Sequence, residues 1–282
     1  MPHRIAIVAD STCDTPLDWP HRHLLHIIPI HIRFGQDSFR EGVDIDEASF
    51  YARVEAERHI PQTSQPSPGE FADLYRSLSG QFDAILSMHV TARLSGTYQS
   101  AVLAAEMVKD AIPVYPFDSA CGSAGLGFMA AETLEALAAG RSIEQMLARL
   151  DAIRKGMNIL LTPATLKYAQ MSGRISALGS AIASLLDVKP IIALEDGALA
   201  AGERVRSRKR ALAHMVQTIS DRLGGAPARA AVVHARAPAD AALLASMVGQ
   251  AVNCREVWLT PLATSVAVHL GPGTVGVVAY AA

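Results

Sequence analysis

The stretch "SMHVTARLSGTYQSA", Ser87 to Ala101, decides how this chain is read. Immediately upstream, Asp83 to Val90 is an apolar, alternating run with the pattern of a buried strand. Downstream, an Ala-rich helix begins. Small polar residues crowd the join: Thr91, Ser95, Gly96, Thr97 and Ser100. Hydroxyls at a helix start satisfy N–H groups that have no partner within the helix. The same helix end also offers N–H groups and a positive dipole to an anion. At this point the join reads equally as a capped helix or as an anion site.

Working outward, the first half alternates strand and helix. Strands are expected at Ile5–Ala9, Ile27–Arg33, Ala84–Val90 and Ile112–Phe117. Helices are expected near Glu47–Arg58, Pro68–Leu78, Thr97–Lys109, Ser123–Ala139 and Ile143–Lys155. Short apolar strands separated by helices imply a parallel, doubly wound sheet. "SPGE", Ser67 to Glu70, has the residues of a capping box with proline at the first helical position. Ligands of open α/β sheets bind at the carboxyl ends of strands. Three polar, glycine-containing segments fall at such ends: "ADSTCDT", "TARLSGT" and "FDSACGSAGLG". Turn chemistry explains any one of them; three on one sheet edge imply a cleft.

The second half starts near Asn158 with a strand and a short helix. A small-residue helix is expected over Gly173–Asp187, then a hairpin turning at Asp196-Gly197. A helix over Arg208–Leu223, a strand at Ala230–Ala235, a helix over Ala239–Val252 and strands near Glu256–Pro261 and Val275–Tyr280 complete the pattern. Hairpin and crossover connections together imply a mixed sheet. The expected division is an N-terminal α/β domain over 1–157 and a mixed-sheet α/β domain over 158–282, with the ligand between them.

Composition bounds the function. Of 282 residues, half are hydrophobic but only 5% aromatic, so the core must be built from Ala, Leu, Ile, Val and Met. With 25 Lys and Arg against 27 Asp and Glu, the formal charge of −2 argues against a general nucleic-acid binder. Cys13, Cys121 and Cys254 are scattered, which fits a reducing compartment. The opening "MPHRIAIVAD" enters a strand without a signal-peptide pattern, and no run is long enough to span a membrane. A soluble, cytoplasmic protein is expected.

Several motifs lead nowhere. "GPGTVG", Gly271 to Gly276, fits G-x-G-x-x-G but leads into a strand and leaves no room for the acidic residue that should follow. His21, His23 and His26 lack the partners of a metal site and read as a solvated loop. No G-x-S-x-G elbow exists. "ERVRSRKR", Glu203 to Arg210, reads as a solvated helix start or as a docking surface for an acidic or phosphate-handling partner. His269 stands out because it precedes a rigid "GPG" turn.

Together, "IAIVADSTCD", "TSQPSPGEF", "LSGTYQSA", "FDSACGSAGLG", "SGRISALGSAIASLLDVKPII", "DGALAAGERVR" and "HLGPGTVGV" resemble the DegV family, the bacterial fatty-acid-binding proteins. The resemblance runs in order through essentially the whole chain. It implies an N-terminal parallel three-layer α/β/α domain, a C-terminal mixed sheet, and one fatty acid between them with its tail buried. It maps the carboxylate site onto Thr63, Ser95, Gly96 and His269, with Arg174 close by. The family commonly carries two serines before Leu-Ser-Gly, where this chain has Thr91-Ala92.

The resemblance further implies a carrier that is not catalytic alone. A separate ATP-dependent kinase would phosphorylate the presented carboxylate while the acyl chain stays in place. Ser95 and Thr63 would orient the carboxylate, His269 would donate a hydrogen bond or charge, and Arg174 would support them electrostatically. Arg204, Arg206 and Lys209 would face the kinase. No metal or cofactor is expected, and lipid exchange would need only transient contact with a membrane surface. The tail chemistry agrees: burying ~14 methylenes yields about 11 kcal/mol gross at roughly 0.8 kcal/mol each. A desolvated carboxylate then needs several convergent donors. Two alternatives stand beside this: a small-molecule enzyme using the Asp10, Asp118 and Ser119 loops, and a binder of another hydrophobic acid.

Overall fold

In the computed structural model, residues 4–57, 60–174 and 189–282 are described. The first sheet is wholly parallel, in the order β2 (Leu25–Ile28), β1 (Ile5–Asp10), β6 (Ala84–His89), β7 (Val114–Asp118). Alternation along β1 sorts its two faces. Ala6 and Val8 pack with Phe71 and Tyr75 of α2 (Pro68–Leu78) and Ala101 and Ala104 of α3 (Thr97–Met107). Ile5, Ile7 and Ala9 join Leu126, Met129 and Ala130 of α4 (Ala124–Ala138) on the opposite face. Three layers result, as expected. The capping box of Ser67 and Glu70 starts α2, and a second, Ser142 with Gln145, starts α5 (Ile143–Gly156).

The second sheet has six strands, in the order β10 (Ala198–Val205), β9 (Lys189–Glu195), β8 (Asn158–Thr162), β13 (Val275–Ala281), β11 (Ala228–His234), β12 (Cys254–Pro261). Only β11 and β12 pair in parallel, so the sheet is mixed. Leu160, Val232 and Val277 face α7 (Arg208–Leu223) and α8 (Pro238–Ala251). Their neighbours Ile159, Leu161, Val233 and Val278 face the core shared with the first sheet. Helix α4 therefore lies between the two sheets and touches both. Phe128 of α4 stacks on Trp258 of β12 with ring centroids 4.5 Å apart, and Trp19 lies 5.9 Å from Trp258. The β9–β10 hairpin turns at Asp196-Gly197, whose φ angles of +47° and +78° fit the favoured two-residue turn.

The expected strand over Ile27–Arg33 is two strands. Pro29 cannot donate to a ladder and breaks the run. Before it, β2 joins the parallel sheet. After it, β3 (His31–Phe34) forms a separate antiparallel sheet between β4 (Asp37–Arg40) and β5 (Gln62–Ser64), followed by α1 (Glu47–Glu57) between β4 and β5 in sequence. His26 accordingly sits on β2, edge-on to Phe82, and not in a solvated loop. The segment after β12 is a seven-residue helix, α9 (Thr264–Leu270). Its sequence TSVAVHL is rich in β-branched residues, which have low helix propensity. After the short helix α6 (Lys167–Met171), the small-residue helix read over Gly173–Asp187 lies outside the described residues from 175 onward. Among the described residues, no helix is long and apolar enough to cross a membrane and no cluster of side chains fits a metal.

Candidate functional site: an apolar cavity with one polar end

Strand order in the parallel sheet reverses between β1 and β6, so their connections leave in opposite directions. Asp10, fully buried at the end of β1, bridges this gap. Its carboxylate accepts from the Thr12 N–H and hydroxyl on one side and from the Val90 N–H on the other. His89 links Asp10 to Ser87, and Ser87 in turn meets the Tyr75 hydroxyl. Aspartate, histidine and serine thus stand in hydrolase order, but all are 0% exposed and no substrate can reach the serine. Asp118 accepts from the Ala92 and Ala120 N–H groups, and the Ser119 hydroxyl donates to the carbonyls of His89 and Cys121. These side chains hold the backbone of their own loops. Burial likewise pushes the Cys121 thiol up to about 12.

Beyond the switch point lies a cavity with about 920 Å³ of atom-free space, mouth included. Its long walls are apolar. Ile159 and Leu161 of β8, Val233 of β11 and Val278 of β13 form one side. Val90, Cys121, Gly122 and Ser123 after β6 and β7 form the other, and Leu262, Val266 and Leu270 close it along α9.

Polar residues line the cavity as well, among them Thr63, Ser95, Arg174 and His269. Thr63, on the β5 edge of the small sheet, meets His269 of α9, with Oγ1 3.0 Å from Nε2. Ser95 lies on the same cavity just before α3. Its Oγ lies 2.8 Å from the Thr97 hydroxyl and accepts from the Thr97 N–H. The hydroxyl in the opening motif therefore does serve the helix start. Arg174 also lines the cavity; it is half-buried and donates to the Ser172 carbonyl. Desolvation, reinforced by the positive charge of Arg174, lowers the His269 pKa to about 3. Histidine is therefore neutral here at physiological pH, and the charge at this end resides on Arg174. The His269 Nδ1 is buried without a hydrogen-bond partner among the described residues.

Four of the five residues expected around a carboxylate, Thr63, Ser95, Arg174 and His269, line this one cavity. Gly96 does not. It caps α3, and a Cβ there would lie 2.7 Å from the Gln65 side chain, so glycine permits that close packing. Arg204, Arg206 and Lys209 are exposed on β10, the following turn and the start of α7. Between them, Arg208 turns inward to the carbonyls of Thr162 and Gly273 and pairs with Asp240. The basic run is thus interrupted by an anchoring residue. The "GPG" turn needs its glycines: Gly271 has φ +80°, and a Cβ there would strike the Tyr168 ring.

Sequence reasoning missed the residues that hold α9 in place. Glu41, buried just after β4, accepts from the Thr264 hydroxyl, the Ser265 N–H and hydroxyl, and Ser11. Asp14 accepts from the Ala263 N–H and the Ser123 hydroxyl. Burial raises Asp14 to about 8, with Glu41 adding to the rise. Glu41 therefore joins the sheet that carries Thr63 to the helix that carries His269. The signal available in sequence was the Thr264-Ser265 pair, whose hydroxyls begin that helix.

Fold and site together define an α/β protein with a largely apolar cavity between a parallel and a mixed sheet. The family model described as "Uncharacterised protein, DegV family" matches residues 4–282. This chain belongs to the DegV family. It is 34% identical to Protein DegV of Bacillus subtilis over 275 residues, covering 97% of this chain and 98% of that protein. It is 29% identical to a Thermotoga maritima protein named "Fatty acid-binding protein", covering 97% and 96% of the two chains. A Thermus thermophilus DegV family structure, described by its fatty acid binding, superposes with a TM-score of 0.92 at 31% identity, over 99% of this chain and 100% of that one. Bacillus subtilis DegV, solved as a fatty acid binding protein, gives 0.90 at 32% identity over the same shares.

Proposed function

We propose that this chain is a carrier for one long-chain fatty acid, held between units spanning 1–157 and 158–282. The carrying observation is the cavity itself: lined mainly by apolar side chains, with Thr63, Ser95, His269 and Arg174 on the same cavity. Arg174 supplies the charge that an ionised carboxylate requires. If the proton of neutral His269 is on Nε2, it donates to Thr63, whose hydroxyl then donates onward to a carboxylate oxygen. Ser95 provides a second hydroxyl. The names of the relatives support fatty acid as the ligand.

The carrier reading extends to a separate ATP-dependent kinase as partner, in the cytoplasm where ATP is available, with Arg204, Arg206 and Lys209 on the docking face. The protein alone supplies no chemistry. Lipid exchange proceeds through transient contact with a membrane surface. Native mass measurement on freshly purified protein, followed by solvent extraction, tests the ligand. A stoichiometric long-chain fatty acid is expected. An empty protein that also refuses added fatty acid would overturn the reading. Phosphorylation of the bound acid only when kinase and ATP are both added tests the partner.

A further inference from the structure

A second cavity lies across the loop after β1. Along that loop Thr12 lines the first cavity, while Ser11, Cys13 and Asp14 line the second. The start of α9 divides them again: Ser265 and Val266 line the first, Ala263 and Thr264 the second. The second cavity has about 1100 Å³ of atom-free space, mouth included. Three aliphatic side chains line it with much of their surface in water: Leu17 is 77% exposed, Val43 61% and Ile27 40%. Exposed aliphatic groups gathered at one opening mark a surface that takes an apolar partner.

The charge of this cavity is acidic. Asp14, Glu41, Asp46 and Glu47 line it, against Arg22, whose charge reaches Asp14 without forming an ion pair. Three of these carboxylates are accounted for. Asp46 accepts from the Ser49 N–H at the start of α1, and Glu47 sits in its first turn, where acidic groups answer the helix dipole. Glu41 accepts four hydrogen bonds, which fills a carboxylate. Asp14 is different. It is 8% exposed and accepts only from the Ser123 hydroxyl and the Ala263 N–H. Half its acceptor capacity is unused, and it has no ion pair among the described residues. A buried carboxylate needs such a partner.

We propose that this second cavity binds a primary alkylammonium ion, whose charged end meets Asp14 and whose carbon chain lies along Leu17, Ile27 and Val43. The surface asks for one cation with an apolar body. An ammonium brings three donors to the free acceptor positions of Asp14. Among the described residues no cluster fits a metal, and an anionic lipid surface or a nucleic acid would meet like charge. Burial, with Glu41 adding to it, raises Asp14 to about 8, so in the empty cavity the acid holds its proton at neutral pH. On binding, that proton leaves to solvent and the carboxylate pairs with the ammonium. Uptake of the amine is therefore linked to proton release. The site lies outside the cavity assigned to the fatty acid and does not rest on the carrier reading.

The test titrates hexylamine and 1-hexanol calorimetrically into the full chain, in buffers of differing ionisation enthalpy. Hexylamine is expected to release about one proton on binding and to tighten about tenfold per pH unit up to about pH 8. Hexanol, equal in length but uncharged, is expected to bind at least about tenfold more weakly at pH 8. Asp14→Asn resembles the protonated acid, so its melting temperature at pH 6 should stay near the native value. It is expected to weaken hexylamine about tenfold or more at pH 8 and to abolish the proton release. Val43→Gln alters only the exposed rim and is expected to weaken the amine about threefold with proton release intact. Equal affinity for amine and alcohol, or amine affinity unchanged in both variants, would overturn the site. Titration with hexadecanoic acid already bound separates the two cavities. Unchanged uptake of hexylamine is expected; displacement of the acid would place the amine in the first cavity and overturn the proposal. If the native chain took up no hexadecanoic acid, the carrier reading would fall, and the two variants would still decide this site.

Discussion

The two ends of the cavity are built on opposite principles. The tail walls are made of Ile159, Leu161, Val233, Val278 and their neighbours, each contributing a small share of contact that an adjacent aliphatic group can partly replace. The polar end is made of Thr63, Ser95, Arg174 and His269, brought together from four separated segments. A wall made of many weak contacts tolerates change, whereas a head site made of single donors does not. On the carrier reading, the contrast also separates what each end decides: the walls admit an apolar chain, and the head selects an anion.

The largest effect is expected where the head site is held together. Glu41→Ala leaves the Ser265 N–H and two hydroxyls of α9 without their acceptor, in a buried place. A loss of about 3 kcal/mol in stability is expected in urea denaturation, with fatty-acid binding lost as well. An unchanged midpoint would show that α9 is held by its apolar contacts alone. Ser95→Ala and His269→Ala come next. Each is expected to weaken fatty-acid binding roughly 10- to 100-fold, as for a hydrogen bond to a charged group, with little change in stability. Affinity unchanged in a folded Ser95→Ala chain would break the assignment of the head. Val278→Ala, at the tail wall, removes two methyl groups. It is expected to reduce affinity only a few-fold and stability by about 1–2 kcal/mol, which titration and denaturation report separately.

The gentlest effect is a pH slope. The folded Asp14 pKa, about 8, lies above its unfolded value near 3.8. The folded state therefore holds a proton that the unfolded state has lost between those values. That contribution is complete at low pH and disappears as pH rises through about 8. His269 acts in the opposite sense: its folded pKa of about 3 lies below 6.5, so its contribution fades as pH falls from about 6.5 toward 3. Thermal melts across pH 6 to 9 should show declining stability, and Asp14→Asn should flatten the decline.

Much of this architecture was legible in the residues. The parallel strands announced themselves by apolar runs between helices, and Ser67 with Glu70 marked a helix start where one exists. Asp196-Gly197 marked its turn. The three polar loops fell on one sheet edge, as the strand order requires. What escaped was structure whose cause is not local. β4 and β5 are short and form only by pairing with β3. Helix α9 runs against the β preference of its valines because Glu41 and Asp14, far back in the chain, take up its first donors. The head site followed the same rule. Thr63 and His269 are separated by 206 positions, and only a resemblance to a family placed them together in advance.

The stacking of Trp258 on Phe128, with Trp19 close by, has a practical consequence. These are the only two tryptophans in the chain. One belongs to an edge strand of the mixed sheet, the other to the loop after the first parallel strand, and the phenylalanine to the helix between the sheets. The intrinsic fluorescence of the protein therefore originates at the seam between its halves. A shift in emission on loading would register the halves moving against one another, and a constant spectrum in a loaded protein would show that the acyl chain enters without parting them.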